Sequence, residues 1–178
     1  MRINRMRKRI VNLMSVVFLL AFITQLYAQQ KTAAAGVIGS DAAGFSLINL
    51  VGEEVTLEQY RGKVVLLNFW ASWCGPCKRE IPDFIRMYEK HHRGGLEIIG
   101  ITLSSGSAAK IRRFVEDWKI NYPILTGDEK YLQDLTLKYG GIRGVPTTFL
   151  IDREGKIRQK WVGARSEKIF MAEVEKYL

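Results

Sequence analysis

Phe69-Trp70-Ala71-Ser72-Trp73-Cys74-Gly75-Pro76-Cys77-Lys78 holds both cysteines of the 178-residue chain and two of its four tryptophans. It stands where a probable strand gives way to a helical pattern. Two residues between the thiols let them close a small ring at the first turn of a helix. Unpaired N–H groups and the positive end of the helix dipole stabilise an anion there, so the Cys74 thiolate is expected to form below the free-cysteine pKa of about 8.5. A thiolate is the attacking species in disulfide exchange. Cys77, one turn further in, is placed to attack a mixed disulfide on Cys74 and release the partner. Gly75 permits close approach, and Pro76 fits a position where no intrahelical N–H is needed. The stretch reads as a dithiol/disulfide active site, with Cys74 exposed at the helix start and Cys77 beneath the turn.

Two rival readings of the cysteines are weaker. A purely structural disulfide closing so short a loop contributes only about 2 kcal/mol in the chain-entropy model, little for the chain's only cysteine pair. A zinc site would need His91 and His92 as its remaining ligands. Adjacent histidines on a helix point about 100° apart, whereas zinc fingers space theirs three to five residues apart. The two histidines are expected to be solvated.

Outward from the cysteines, Val64-Val65-Leu66-Leu67-Asn68-Phe69-Trp70 suits a central strand buried on both faces, with the cysteines at its C-terminal end, the edge where open α/β sheets bind their ligands. Ile81, Phe84, Ile85 and Tyr88 recur at three and four, predicting an amphipathic helix over Gly75 to His91, kinked by Pro82 and ended by Gly94-Gly95. Leu96 to Leu103 is the next strand. Ser107 is a good N-cap for a helix with Ile111, Phe114, Val115 and Trp118 on one stripe. Tyr122 to Leu125 is a short strand, and Asp128 opens a helix through Leu132, Leu135 and Tyr139. Trp118 and Tyr139 are assigned to the core. Thr147 to Ile151 and Lys156 to Val162 alternate around Asp152-Arg153-Glu154-Gly155 as an antiparallel hairpin. Ser166 caps a last helix whose Ile169, Phe170, Val174 and Leu178 face inward. Before the central strand, Phe45 to Leu50 and Glu54 to Leu57 flank a hairpin turn, and Leu57 to Lys63 is a turn-like link.

The N-terminus has a different character. Met1 to Arg9 carries five basic residues and no acid, and Ile10 to Ile23 is nearly all apolar, the pattern of a signal peptide. Extended to Ala28, the run approaches the roughly 20 residues that span a bilayer. Residues 1–28 are therefore a signal peptide or membrane anchor, giving membrane contact through residues 10–28, and 29–40 a flexible tether. Residues 41–178, in a chain 47% apolar, suffice for one well-cored domain. Removing the leader's basic residues takes the net charge from +9 to +4, and no basic stripe with interleaved aromatics points to nucleic acid. Export leads to an oxidising compartment, where a reductant must be supplied with electrons by a partner.

The ten residues around the cysteines resemble the thioredoxin active-site segment, and Gly141-Ile142-Arg143-Gly144-Val145-Pro146-Thr147 is similar to that family's cis-proline loop. The opening segment Gly44–Leu57, Cys74-x-x-Cys77-x-x-Glu80-x-Pro82 and an enlarged middle before Pro146 are similar to the TlpA/ResA branch of exported or membrane-anchored thioredoxin-like proteins. The resemblance implies an α/β thioredoxin-like fold: a central mixed sheet flanked by helices, with an N-terminal hairpin and one added helix-strand unit before the cis-proline loop. It implies a thiol–disulfide oxidoreductase that reduces protein disulfides, in cytochrome c maturation by the same likeness, fed by a membrane thiol-electron carrier and needing no cofactor beyond the Cys74–Cys77 disulfide and no metal. The substrate groove it implies is Trp73, Gly75, Pro76, Val145, Pro146 and Gly163 around Cys74. Gly-Pro between the cysteines is shared with reducing thioredoxins, near −270 mV against roughly −120 mV for a strong oxidase.

The chain departs from cytosolic thioredoxin at Asn68. Thioredoxin has there, six residues before the first cysteine, a buried aspartate thought to move protons for the dithiol. An amide cannot take a proton near neutral pH. Glu80, three residues after Cys77 and so on nearly the same helix face, is the substitute, and TlpA/ResA proteins carry an acid at that position. The plainer alternative is a first-turn glutamate that only complements the helix dipole. Two other functions compete. A peroxiredoxin-type thiol peroxidase would place Thr or Ser where Ala71 stands, with a proline earlier in the loop. A Cu(I) assembly factor would use the paired thiolates as soft ligands.

Overall fold

The computed structural model describes residues 38–178, so the expected leader and nearly all of the tether lie outside the described residues. β3 (Val64–Trp70) is buried at every position, and its period of two divides its side chains between two cores. Val64, Leu66 and Trp70 enter one, and Val65, Leu67 and Phe69 the other. Asn68 has the parity of the first set.

Seven strands form one mixed sheet: β1 (Ser46–Asn49), β2 (Glu54–Thr56), β3, β4 (Leu96–Thr102), β5 (Ile124–Thr126), β6 (Thr147–Ile151) and β7 (Ile157–Val162), in the order β2-β1-β5-β4-β3-β6-β7. β3, β4 and β5 run parallel. β6 is antiparallel to β3, and β1 to both β2 and β5. The core on the Leu66 side takes Ile81, Phe84 and Met87 from α1 (Gly75–His91), Ile111 from α2 (Ala108–Asp117) and Phe170, Met171 and Val174 from α4 (Glu167–Val174). The other takes Leu132 and Leu135 from α3 (Glu129–Lys138), together with Tyr139 and the N-terminal Phe45, Leu47 and Val55.

Several elements differ from expectation. The turn-like link contains a 3₁₀ turn over Leu57–Tyr60. β5 begins two residues later than the apolar run starts, because Pro123 cannot donate to a ladder. α1 ends at His91 as expected, but a 3₁₀ turn over His92–Gly94 then precedes Gly95, whose φ of 106° suits glycine. In α4, Ile169 is exposed and Met171 takes its place in the core. Ser166, although it occupies the N-cap position, makes no side-chain cap bond. Asp83 of α1 does so instead, its Oδ2 accepting the Glu167 N–H at 2.8 Å. Tyr139 is wholly buried, while Trp118 is half-buried and stacked on Phe114 with ring centroids 5.4 Å apart. His92 is not simply solvated: it lies 4.4 Å from the Tyr88 ring, and its Nδ1 is 3.5 Å from the buried Glu97 carboxylate.

Candidate active site

β3 delivers Cys74 to the N-cap position of α1, where its sulfur accepts the Cys77 N–H at 3.1 Å. That bond, at the positive end of the helix, stabilises negative charge on Cys74 in the reduced state. The two cysteines form a disulfide with a Cα–Cα distance of 5.3 Å, and no free cysteine remains. The expectation of an exposed Cys74 is corrected: it is only 4% exposed and Cys77 only 1%. The Val145 carbonyl oxygen lies 3.5 Å from the Cys74 sulfur, which in the disulfide has no hydrogen to donate, so this is a packing contact with the loop before β6. What faces solvent is Trp73, 65% exposed, with Gly75 and Pro76 beside the cysteines.

The expected groove residues come from three segments. Trp73, Gly75 and Pro76 lie at the β3–α1 junction, Val145 and Pro146 precede β6 with a cis peptide bond between them, and Gly163 follows β7. The Gly163 N–H donates to the Pro146 carbonyl at 2.8 Å, joining the last two segments. Gly163 has a φ of 84°, a region that favours glycine. Trp73 is anchored by its indole N–H, which donates to the Ser104 carbonyl at 2.9 Å, and the backbone beneath it by Ser105, whose Oγ accepts the Ser72 N–H at 3.0 Å.

Three residues after Cys77 on α1 lies the carboxyl. Glu80 is only 2% exposed. Its Oε1 accepts from Asn68 Nδ2 at 2.9 Å, and its Oε2 from the Arg165 backbone N–H at 3.4 Å. Asn68 Nδ2 also donates to Thr148 Oγ1 at 2.9 Å. Burial pushes the Glu80 pKa up to about 7 and the neighbouring Asp83 charge adds to this, against the two hydrogen bonds and the Arg165 guanidinium, which favour the anion. Glu80 is therefore not solvated, and it lies beyond the first turn of α1, which carries no acid.

Asn68, Thr148 and Arg165 act on the site but were not among the expected site residues. Asn68 shares the parity of Leu66 and Trp70, which places it under α1. Thr148 sits directly across from it in the β3–β6 register, a pairing that no local motif specifies. Among the described residues no group of three or more His, Cys, Asp and Glu could hold a metal ion.

Residues 38–160 match the AhpC/TSA family model. The thiol-disulfide oxidoreductase ResA of Geobacillus thermodenitrificans is 37% identical over 139 residues, covering 78% of this chain and 76% of that protein. ResA of Bacillus subtilis is 32% identical over 131 residues, covering 74% and 70%. Among solved structures, the thioredoxin domain of a thiol-disulfide oxidoreductase from Bacteroides vulgatus is similar with a TM-score of 0.72 and 26% identity, covering 80% of this chain and 99% of that one. A thioredoxin-family thiol:disulfide interchange protein of Chlorobium tepidum is similar with a TM-score of 0.71 and 29% identity, covering 80% and 99%. With a buried Cys-x-x-Cys disulfide at the start of α1 and these relatives along most of its length, the chain belongs to the AhpC/TSA family of the thioredoxin-like superfamily, as a ResA/TlpA-type thiol–disulfide oxidoreductase.

Proposed function

We propose that this protein is exported and reduces disulfides of other proteins, with Cys74 as the attacking thiol, Cys77 as the resolving thiol and Glu80 as the proton acceptor. The reading rests above all on Glu80, a buried carboxyl one helical turn from Cys77 that titrates near 7. The Cys74 thiolate attacks a substrate disulfide, forming a mixed disulfide and releasing one substrate thiolate. Cys77 then gives its proton to Glu80 and attacks the Cys74 sulfur. The Cys74–Cys77 bond forms, the second substrate sulfur leaves as a thiolate, and Glu80 returns the proton to it. The substrate disulfide gains two electrons and the cysteine pair loses two. A membrane thiol-electron carrier restores the dithiol, and the exposed Trp73, with Gly75, Pro76, Val145, Pro146 and Gly163, receives an extended substrate segment. Export is supported by the basic and apolar pattern of residues 1–28, and cytochrome c maturation by the likeness to the TlpA/ResA branch. A peroxidase reading of the AhpC/TSA likeness is disfavoured by Ala71, which supplies no hydroxyl three residues before Cys74.

Insulin reduction driven by dithiothreitol tests the roles. Cys74→Ser abolishes turnover, Cys77→Ser accumulates mixed disulfides in cells, and Glu80→Gln slows turnover about 10- to 100-fold. Mixed disulfides trapped by Cys74→Ser but not by Cys77→Ser would reverse the order of the thiols. Wild-type turnover in Glu80→Gln would remove the proposed base.

A further inference from the structure

A group that accepts and returns a proton inside a protein must keep its hydrogen-bond partners in both protonation states, because a buried donor or acceptor left unpaired costs the full desolvation of that group. Carboxylate and carboxylic acid make opposite demands: the anion only accepts, whereas the acid must donate its proton. A fixed donor such as the Arg165 backbone N–H, 3.4 Å from Oε2, can serve only as a donor. The other oxygen is differently placed. Oε1 meets the side-chain amide of Asn68, and that amide meets the hydroxyl of Thr148, each at 2.9 Å and all three side chains buried.

An amide presents donors on one side and an acceptor on the other, and a hydroxyl can serve as either. We propose that Asn68 and Thr148 are positioning residues that form with Glu80 a three-member hydrogen-bond unit, one that offers Oε1 a donor when the carboxyl is ionised and an acceptor when it is protonated. With Glu80 ionised, both Asn68 N–H groups are used, one on Oε1 and one on Thr148 Oγ1. With Glu80 protonated, a half-turn of the amide lets Oδ1 accept from the carboxylic acid O–H and the Thr148 O–H together. Oε1 and Thr148 Oγ1 thus face the Asn68 amide as a partner in either state. This rests on Glu80 being the proton acceptor of Cys77, and it assigns a use to Asn68: the strand residue no longer carries the proton but adapts to it.

The fold makes the unit by register. Asn68 and Thr148 are direct cross-strand partners in β3 and β6, so their side chains stand on one face, and α1 lays Glu80 over that face. The charged and titratable groups acting on Glu80 are Asp83 on its own helix, Arg165 after β7, and Tyr122 before β5, whose phenol is pushed up by burial and by the Glu80 charge. Arg165 meets the carboxyl at Oε2, whereas it is the Asn68 amide that meets Oε1.

The test is the Glu80 titration followed by carboxyl carbon NMR in the oxidised protein, where neither cysteine titrates. The wild-type midpoint is expected at about 7. Asn68→Leu removes a donor to the anion and an acceptor for the acid; the bond to the charged form is the stronger, so the midpoint rises by about one pH unit, a tenfold change in proton affinity. Thr148→Val keeps the shape but leaves an Asn68 N–H unpaired in the ionised state and only an under-used carbonyl in the protonated one, and the orphaned N–H is the worse defect. The midpoint then also rises, by less, while Thr148→Ser titrates as wild type. In insulin reduction, Thr148→Val slows turnover when Glu80 is present and adds nothing in a Glu80→Gln background. A Thr148→Val midpoint equal to that of wild type, or an equal slowing by Thr148→Val in both backgrounds, would overturn the unit. Wild-type turnover in Glu80→Gln alone would instead overturn the role of Glu80 and leave the titration result standing.

Discussion

Glu80 has an N–H donor on each oxygen, yet burial outweighs both and its pKa stands near 7 in the folded protein against an ordinary 4.5. Between those values the folded state binds more protons than the unfolded one, so its contribution to stability falls as pH rises. The contribution is level below about 4.5, is lost through the interval, and stays low above about 7, a change of about 3 kcal/mol for a group this buried. Glu80→Gln does not titrate, so the wild type should lose about this much stability relative to the variant between pH 4 and pH 8. Denaturant midpoints of the two oxidised proteins measure the difference, and a constant difference across that range would place the folded pKa near its ordinary value. How much of this was legible beforehand differs by residue. Helical spacing from Cys77 together with the likeness to the TlpA/ResA branch singled out Glu80, and strand parity could have turned Asn68 toward it. Thr148 meets Asn68 from 80 residues away in the chain and Arg165 meets the carboxyl from 85, and nothing local to either encodes that meeting.

At the scale of elements, periodic apolar patterns located the strands and helices, because side-chain period follows backbone geometry. They failed where tertiary contact decides the outcome. α4 shows this. Ser166 has the residue type and position of an N-cap but makes no side-chain cap bond, and the first-turn N–H of Glu167 is held instead by Asp83 from α1. Arg86 joins the same junction through Asp83 and Glu167, and Lys90 reaches Glu167 at 3.1 Å. These pairs are partly exposed and contribute little individually; the cap bond matters more. Asp83→Ala should therefore cost about 1–2 kcal/mol and Ser166→Ala less than about 0.5 kcal/mol, read from urea unfolding. The reverse order would mean that α4 is capped locally after all.

For the whole molecule, the sheet divides two cores, and only one of them touches the redox site. Cys74 and Cys77 belong to the core of α1, α2 and α4, as does Trp70, four residues before Cys74. Gly100 lies at the centre of β4, opposite Asn68 in the register, and a Cβ there would come within 2.6 Å of Ile124 Cδ1 and 2.8 Å of Trp70 Nε1. Both neighbours are confined, Trp70 by the Phe114 ring 5.4 Å away, so Gly100→Ala must move Trp70 and with it the start of the active-site loop. Overpacking of this kind costs about 1–3 kcal/mol. On the other side of the sheet, Tyr139 packs between Phe69 and Phe149, and its hydroxyl donates to the Ala43 carbonyl at 2.8 Å. Tyr139→Phe removes that bond, at a cost of about 1 kcal/mol, and leaves the rings in place. The two substitutions should thus separate stability from activity. Each lowers the urea midpoint, but only Gly100→Ala slows insulin reduction under conditions where both variants are fully folded. A slowed Tyr139→Phe would show that the sheet does not keep the two cores mechanically apart, and a Gly100→Ala that is destabilised yet reduces insulin at the wild-type rate would show that Trp70 does not govern the active-site loop.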